Sequence, residues 1–143
     1  MKKSAVTMVV MFFATLTFAQ KMQEKNVPAN VKSTFQKKYP AATGVKWNKE
    51  SENYEASFDL NKTGNSVLMD AQGNIIETEV EIELSQLPAG ILAYVKKHYT
   101  ANKVKEAAKI TDAKGTVTYE AAIKGMDLIF DSNGKFVKEI KNN

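Results

Sequence analysis

The chain states one structural programme twice, and that repetition constrains its fold more than any other feature. Val27-Pro28-Ala29-Asn30-Val31, followed by Phe35, Lys37 and Tyr39, returns sixty positions later as Leu87-Pro88-Ala89-Gly90-Ile91, followed by Val95, Lys97 and Tyr99. Tyr54-Glu55-Ala56 returns as Tyr119-Glu120-Ala121, and Asp70-Ala71-Gln72-Gly73 as Asp131-Ser132-Asn133-Gly134. A duplication that preserves the order of a Pro-led apolar helix, a strand and a turn preserves a structural unit. The repeat speaks of architecture and contains no residue set that names a reaction.

Within each copy the hydrophobic period changes from helical to extended. Pro28 suits a first helical turn, where its missing N–H costs nothing, and Val31, Phe35 and Tyr39 then fall on one helix face until Tyr39-Pro40 ends it. From Val45 the period becomes two: Val45 and Trp47, then Tyr54, Ala56, Phe58 and Leu60, alternate with polar residues. A turn over 61–65, a third strand over 66–70 and a fourth from Asn74 to about Leu84 complete the first copy. The second copy predicts a helix bearing Ile91, Leu92, Val95 and Tyr99, capped from Ser85 or Leu87. Strands follow at about 103–111, 116–123, 126–131 and 135–141. The Asp-x-x-Gly segments read as type I turns whose Asp side chain accepts hydrogen bonds from the amides ahead of it.

No Gly, Ser or Pro linker separates the copies, and a unit of about 60 residues buries little surface alone. The expected architecture is therefore α+β: tandem helix-plus-four-strand antiparallel repeats forming one eight-stranded sheet, with two helices on one face and the other face open. Repeat one spans 27–84 and repeat two 85–143, as one continuous domain.

The N-terminal stretch reads differently. Lys2 and Lys3 precede an uncharged, mostly apolar run from Ala5 to Phe18, and Thr17-Phe18-Ala19 offers small residues at a cleavage position. Residues 1–19 are expected to be a secretory signal peptide, since the run is shorter than the roughly 20 residues of a spanning helix. Residues 20–26 are expected to be a flexible polar tail. Loss of Lys2 and Lys3 lowers the formal charge from +4 to +2, and every cation is Lys. So small a surplus, without Arg, argues against nucleic-acid binding. The absence of Cys excludes disulfides, thiol chemistry and the acceptor for a lipoprotein anchor. The chain is expected to be periplasmic or secreted, with no stable membrane insertion after processing.

A helix opened by Val/Leu-Pro and closed by Tyr, a Tyr-Glu-Ala strand and an Asp-x-x-Gly hairpin, in tandem behind a signal peptide, together resemble the PepSY-like, beta-lactamase-inhibitor-like family of exported bacterial envelope proteins. The resemblance covers about Val27 to Ile140. It implies a helix-on-antiparallel-sheet fold, export to the periplasm or beyond, and no established activity for most members; the relatives after which the fold is named bind other proteins. One type of relative inhibits an enzyme through its sheet surface, and PepSY modules occur in peptidase propeptides. No inhibitory residue carries over.

The candidate sites are few. His98 is the only histidine and sits at a helix end, where capping is the ordinary role; no serine lies in a nucleophile context. Neither catalytic, cofactor nor metal residues are expected. Glu77, Glu79, Glu81 and Glu83 form a ladder on one face of the fourth strand, which is either a solvated face or a strip for a basic partner. Carboxylates about 7 Å apart along a strand do not converge on one ion. Trp47 lacks an aromatic counterpart in the second copy and is either a core residue or a binding anchor. The functional expectation is a non-enzymatic, inhibitor-like module that binds another envelope or secreted protein through its open sheet face and hairpin tips. The alternative is a small apolar ligand or lipid between helices and sheet, lined by Met69, Met126 and Phe130.

Overall fold

Alternating apolar residues need a helix to cover them on one side, and the chain supplies one helix per copy. The structure, a computed structural model, describes residues 20–142; the expected signal peptide lies outside the described residues. Among the described residues nine strands form one antiparallel meander in which every strand pairs with its neighbours in the chain: β1 (Gln20–Met22), β2 (Thr43–Glu50), β3 (Asn53–Leu60), β4 (Thr63–Met69), β5 (Ile75–Ile82), β6 (Glu106–Asp112), β7 (Val117–Ile123), β8 (Met126–Asp131) and β9 (Phe136–Lys141). Helix α1 (Ala29–Lys38) follows β1 and helix α2 (Ile91–His98) follows β5.

The expected α+β layering is what the structure has, with one strand more than expected. Residues 20–26, read from sequence as a loose tail, form β1 and a short 3-10 turn over Glu24–Asn26. Gln20, Lys21 and Met22 pair with Lys49, Asn48 and Trp47, so β1 satisfies edge groups of β2 and Met22 packs against the first core. Sixty residues on, Val80, Glu81 and Ile82 pair with Lys109, Ala108 and Ala107. A second 3-10 turn, Leu84–Gln86, follows them as the first follows β1. The repeat thus begins at β1, and β5 both closes the first unit and opens the second.

The core lies in two clusters under the two helices. Val31 and Phe35 of α1 cover Trp47, Ala56, Phe58, Val67 and Met69. Ile91 and Val95 of α2 cover Ala107, Ala121, Ile123, Leu128 and Phe130. Between them, on the same side of the sheet, Val80 and its cross-strand partner Lys109 are exposed.

Each repeated Asp-x-x-Gly turn ties its hairpin to its helix. Asp70 Oδ1 accepts hydrogen bonds from the amides of Gln72 and Asn74, both at 2.9 Å, and Asp131 Oδ1 does the same for Asn133 and Lys135. Gly73 lies so close to α1 that a Cβ there would come within 2.8 Å of the Asn30 carbonyl, and one at Gly134 within 3.0 Å of the Ala89 carbonyl. A third turn, Asp112-Ala113-Lys114-Gly115, uses the same bonds but meets no helix, and a Cβ at Gly115 would stand in open space. The turn between β3 and β4 is tighter than the expected 61–65: Leu60 pairs directly with Thr63, and Asn61 and Lys62 carry φ of +53° and +66°. That is the two-residue hairpin geometry matched to strand twist.

Candidate functional site

On the uncovered side of the sheet, side chains alternate outward between the core residues. Glu55, between Tyr54 and Ala56, points away from α1, as Glu120 between Tyr119 and Ala121 points away from α2. The register aligns these residues in rows across the strands. One row runs Lys21, Asn48, Glu55, Leu68, Glu77, Asp112; the next runs Lys46, Ser57, Ser66, Glu79, Ile110, Thr118. A third includes Glu81, Ala108, Glu120, Ile129 and Lys138, and a fourth Glu106, Ala122 and Asp127. Carboxylates are thus mostly interleaved with small or apolar residues rather than placed directly opposite one another.

Ala108, Ile110 and Ile129 on this face are buried without belonging to either helix-covered core. The face is recessed here: a depression of about 280 Å³ is lined by Glu55, Ser57, Ser66, Glu79, Glu81, Glu106, Ala108 and Glu120, among others. Gly64 of β4 lines it as well, and a Cβ there would stand 2.8 Å from the Glu81 Oε2. The crowding perturbs the acids. Burial, then Glu55 and Glu77, push the Glu79 carboxyl up to about 7. Burial, then Glu79, Asp127 and Glu106, push Glu120 up to about 8. Glu77 is also raised, by burial and then Glu50, with Lys138 pulling the other way.

The expected site residues fall in different places. Glu77, Glu79 and Glu81 share the acidic face. Glu83 does not: β5 ends at Ile82, and Glu83 heads the 3-10 turn that follows, its amide donating to Gln86 Oε1 at 2.8 Å. The ladder therefore has three rungs on the sheet, because a residue needed to cap a helical turn cannot continue the pleat. Trp47 lies on the opposite face with 6% exposure, edge-on to Phe35 at 5.3 Å between ring centroids. It borders a depression of about 330 Å³ beside α1, with Phe35, Tyr39, Pro40 and Val45.

Glu55, Glu106, Glu120 and Asp127 were not expected at the site, although Glu55 and Glu120 carried a signal. Each sits between two core residues of a strand and must face away from the core. The lining expected for a small ligand is not a cavity wall, for Met69 and Phe130 are fully buried and packed, and Met126 packs against the second core. His98 lays its ring on Tyr94 at 4.2 Å. Among the described residues no group of three or more His, Asp or Glu side chains is placed to hold a metal ion, and no helix is long and apolar enough to cross a membrane.

Similar folds occur in several Bacteroides proteins. One from Bacteroides eggerthii, described as periplasmic, is 16% identical, with 80% of this chain and 88% of that chain covered and a TM-score of 0.70. A DUF2874 family protein from Bacteroides ovatus is 25% identical (80% and 86% covered, TM-score 0.66). A BLIP-like protein from Bacteroides fragilis is 22% identical (80% and 86%, TM-score 0.62). No curated protein matches. The beta-lactamase-inhibitor-like, PepSY-like family model matches twice, over residues 17–77 and 59–138, two windows that overlap from the end of β3 through β4 into β5. With that match spanning most of its length, the chain belongs to the beta-lactamase-inhibitor-like, PepSY-like family.

Proposed function

We propose that the protein is an exported, non-catalytic module that binds another envelope or secreted protein through the open face of its sheet, in the manner of an inhibitor. The observation that carries this reading is the asymmetry of the sheet: both helices cover one face, while the other is recessed and lined by side chains held in a rigid register. A broad, rigid, polar surface suits a protein partner better than a small ligand, which needs a concave apolar enclosure. Membership of an inhibitor-like family supports the same direction. So does the description of a similarly folded protein as periplasmic, along with the signal-like segment at 1–19.

The test is capture from envelope extract with residues 20–143 as bait, beside two variants of it. Ser66→Arg places bulk and charge in the recess, and Lys109→Glu alters the helix side. A partner retained by the wild type and the Lys109 variant but lost with Ser66→Arg is the expected result. A partner retained equally by all three, or a co-purifying lipid with no protein, would overturn the reading.

A further inference from the structure

Resting on that reading, we propose that what docks on the open face is an extended, lysine- or arginine-bearing segment of the partner, laid along β5 with its cations on Glu77, Glu79 and Glu81. Three observations on this face point the same way. The first is spacing. Alternate residues of a strand stand about 7 Å apart, the same interval at which alternate side chains of an extended peptide project. The carboxylates of β5 therefore match an alternating basic segment rung for rung, whereas a single ion would need them to converge. The second is the floor. To either side of β5 lie Ser66 and Gly64 of β4 and the buried Ala108 and Ile110 of β6, short or apolar surface on which the aliphatic stems of Lys or Arg can lie. The third is the placement of the face's own cations. Lys21 and Lys46 belong to β1 and β2, and of the face's lysines Lys138 of β9 bears on Glu77. The middle strands contribute Glu55, Glu77, Glu79, Glu81, Glu106 and Glu120, an excess of acids whose ionised forms a cationic partner would favour. The raised carboxyls of Glu79 and Glu120 accord with acids held close together.

An NMR titration of residues 20–143 tests this with a defined probe, the peptide Lys-Thr-Lys-Thr-Lys, against its counterpart Gln-Thr-Gln-Thr-Gln. The expected result is saturable binding of the lysine peptide alone, with amide shifts concentrated in β4, β5 and β6. Affinity should fall at least tenfold between about 20 and 200 mM salt, because the contacts are ionic. It should fall at least tenfold again in the triple variant Glu77→Gln, Glu79→Gln, Glu81→Gln, whose fold is checked by circular dichroism. Lys109→Gln, on the helix side, should change nothing. The proposal is overturned by equal binding of the glutamine peptide, by shifts confined to the helix side, by shifts that track protein concentration as in self-association, or by calcium saturating the same residues at micromolar levels. If the lysine peptide fails to bind while a captured partner still depends on Ser66, the cationic segment is wrong and the broader reading stands. If the peptide binds and no partner depends on Ser66, the reverse holds.

Discussion

The two halves of the molecule solve the same packing problem with their bulk in different places. In the first half the large side chains belong to α1 and the first strands: Phe35 meets Trp47 at 5.3 Å and Phe58 at 5.0 Å, and Tyr39 meets Phe58 at 4.6 Å. The repeat alignment places Val95, Ala107 and Ile123 at the positions of Phe35, Trp47 and Phe58. The second half recovers that volume on its far side. Phe130 replaces Met69, Phe136 replaces Ile75 and Tyr94 replaces Thr34; Tyr94 stacks on Phe136 at 5.2 Å and stands edge-on to Phe130 at 5.5 Å. Bulk lost at one set of positions is partly regained at another, which is how cores tolerate divergence. A residue present in only one copy, such as Trp47, therefore marks a redistribution of packing.

The largest effect expected from breaking this arrangement is Trp47→Ala. It should cost about 3–5 kcal/mol, read as a lower urea midpoint, because loss of the buried indole leaves a cavity under α1. If Trp47 served chiefly as an exposed contact, the midpoint would barely move.

A smaller graded effect separates the turns. Gly73→Ala should destabilise more than Gly134→Ala, and both more than Gly115→Ala. All three glycines have positive φ, but only the first two press on a helix. The Gly115 substitution isolates the conformational cost alone, about 1 kcal/mol. Equal losses at the three sites would show that docking of the turns on the helices contributes nothing.

A further effect concerns pH. Glu79 and Glu120 hold their protons to about 7 and 8 in the folded protein against an ordinary value of 4.5. As pH rises above that ordinary value, the unfolded chain ionises first and the folded state loses relative stability until these groups too have ionised. Asp70 and Asp112, held low mainly by bonds from Asn74 and Thr116, act in the opposite sense and favour folding until acidification protonates them. Stability should thus peak in mildly acidic solution and decline from about pH 5 to pH 8. Glu79→Gln with Glu120→Gln should flatten that decline in melting curves recorded across the range. A slope unchanged by the double variant would place the raised titrations elsewhere.

Much of the fold was legible because its signals are local. The Pro-led helices, the period-two strands and the Asp-x-x-Gly turns each declare themselves within a few residues. β1 was missed because a three-residue strand with one apolar side chain, Met22, has no period to read. Its identity lies sixty positions away, in Ile82. The turn at Asn61-Lys62 is obscured in the sequence by Gly64, a residue typical of turns that here lies within β4 and leaves room for Glu81. The acidic face was only partly legible. Glu77, Glu79 and Glu81 sit together on one strand, but Glu55, Glu106, Glu120 and Asp127 join them through cross-strand register, which strand order and bulges decide.

The strand order follows the chain without a crossover, so each strand pairs with the next one in sequence, through a short turn in six cases and through a helix between β1 and β2 and between β5 and β6. Such sequence-local pairing is unusual for so large a sheet and favours rapid assembly for a β-rich protein. It also means that a pull on the two ends, which lie at opposite edges, would peel β1 and β9 away first and work inward one ladder at a time. The strand released last would be the middle one, β5, which carries the acidic rungs and belongs to both repeats.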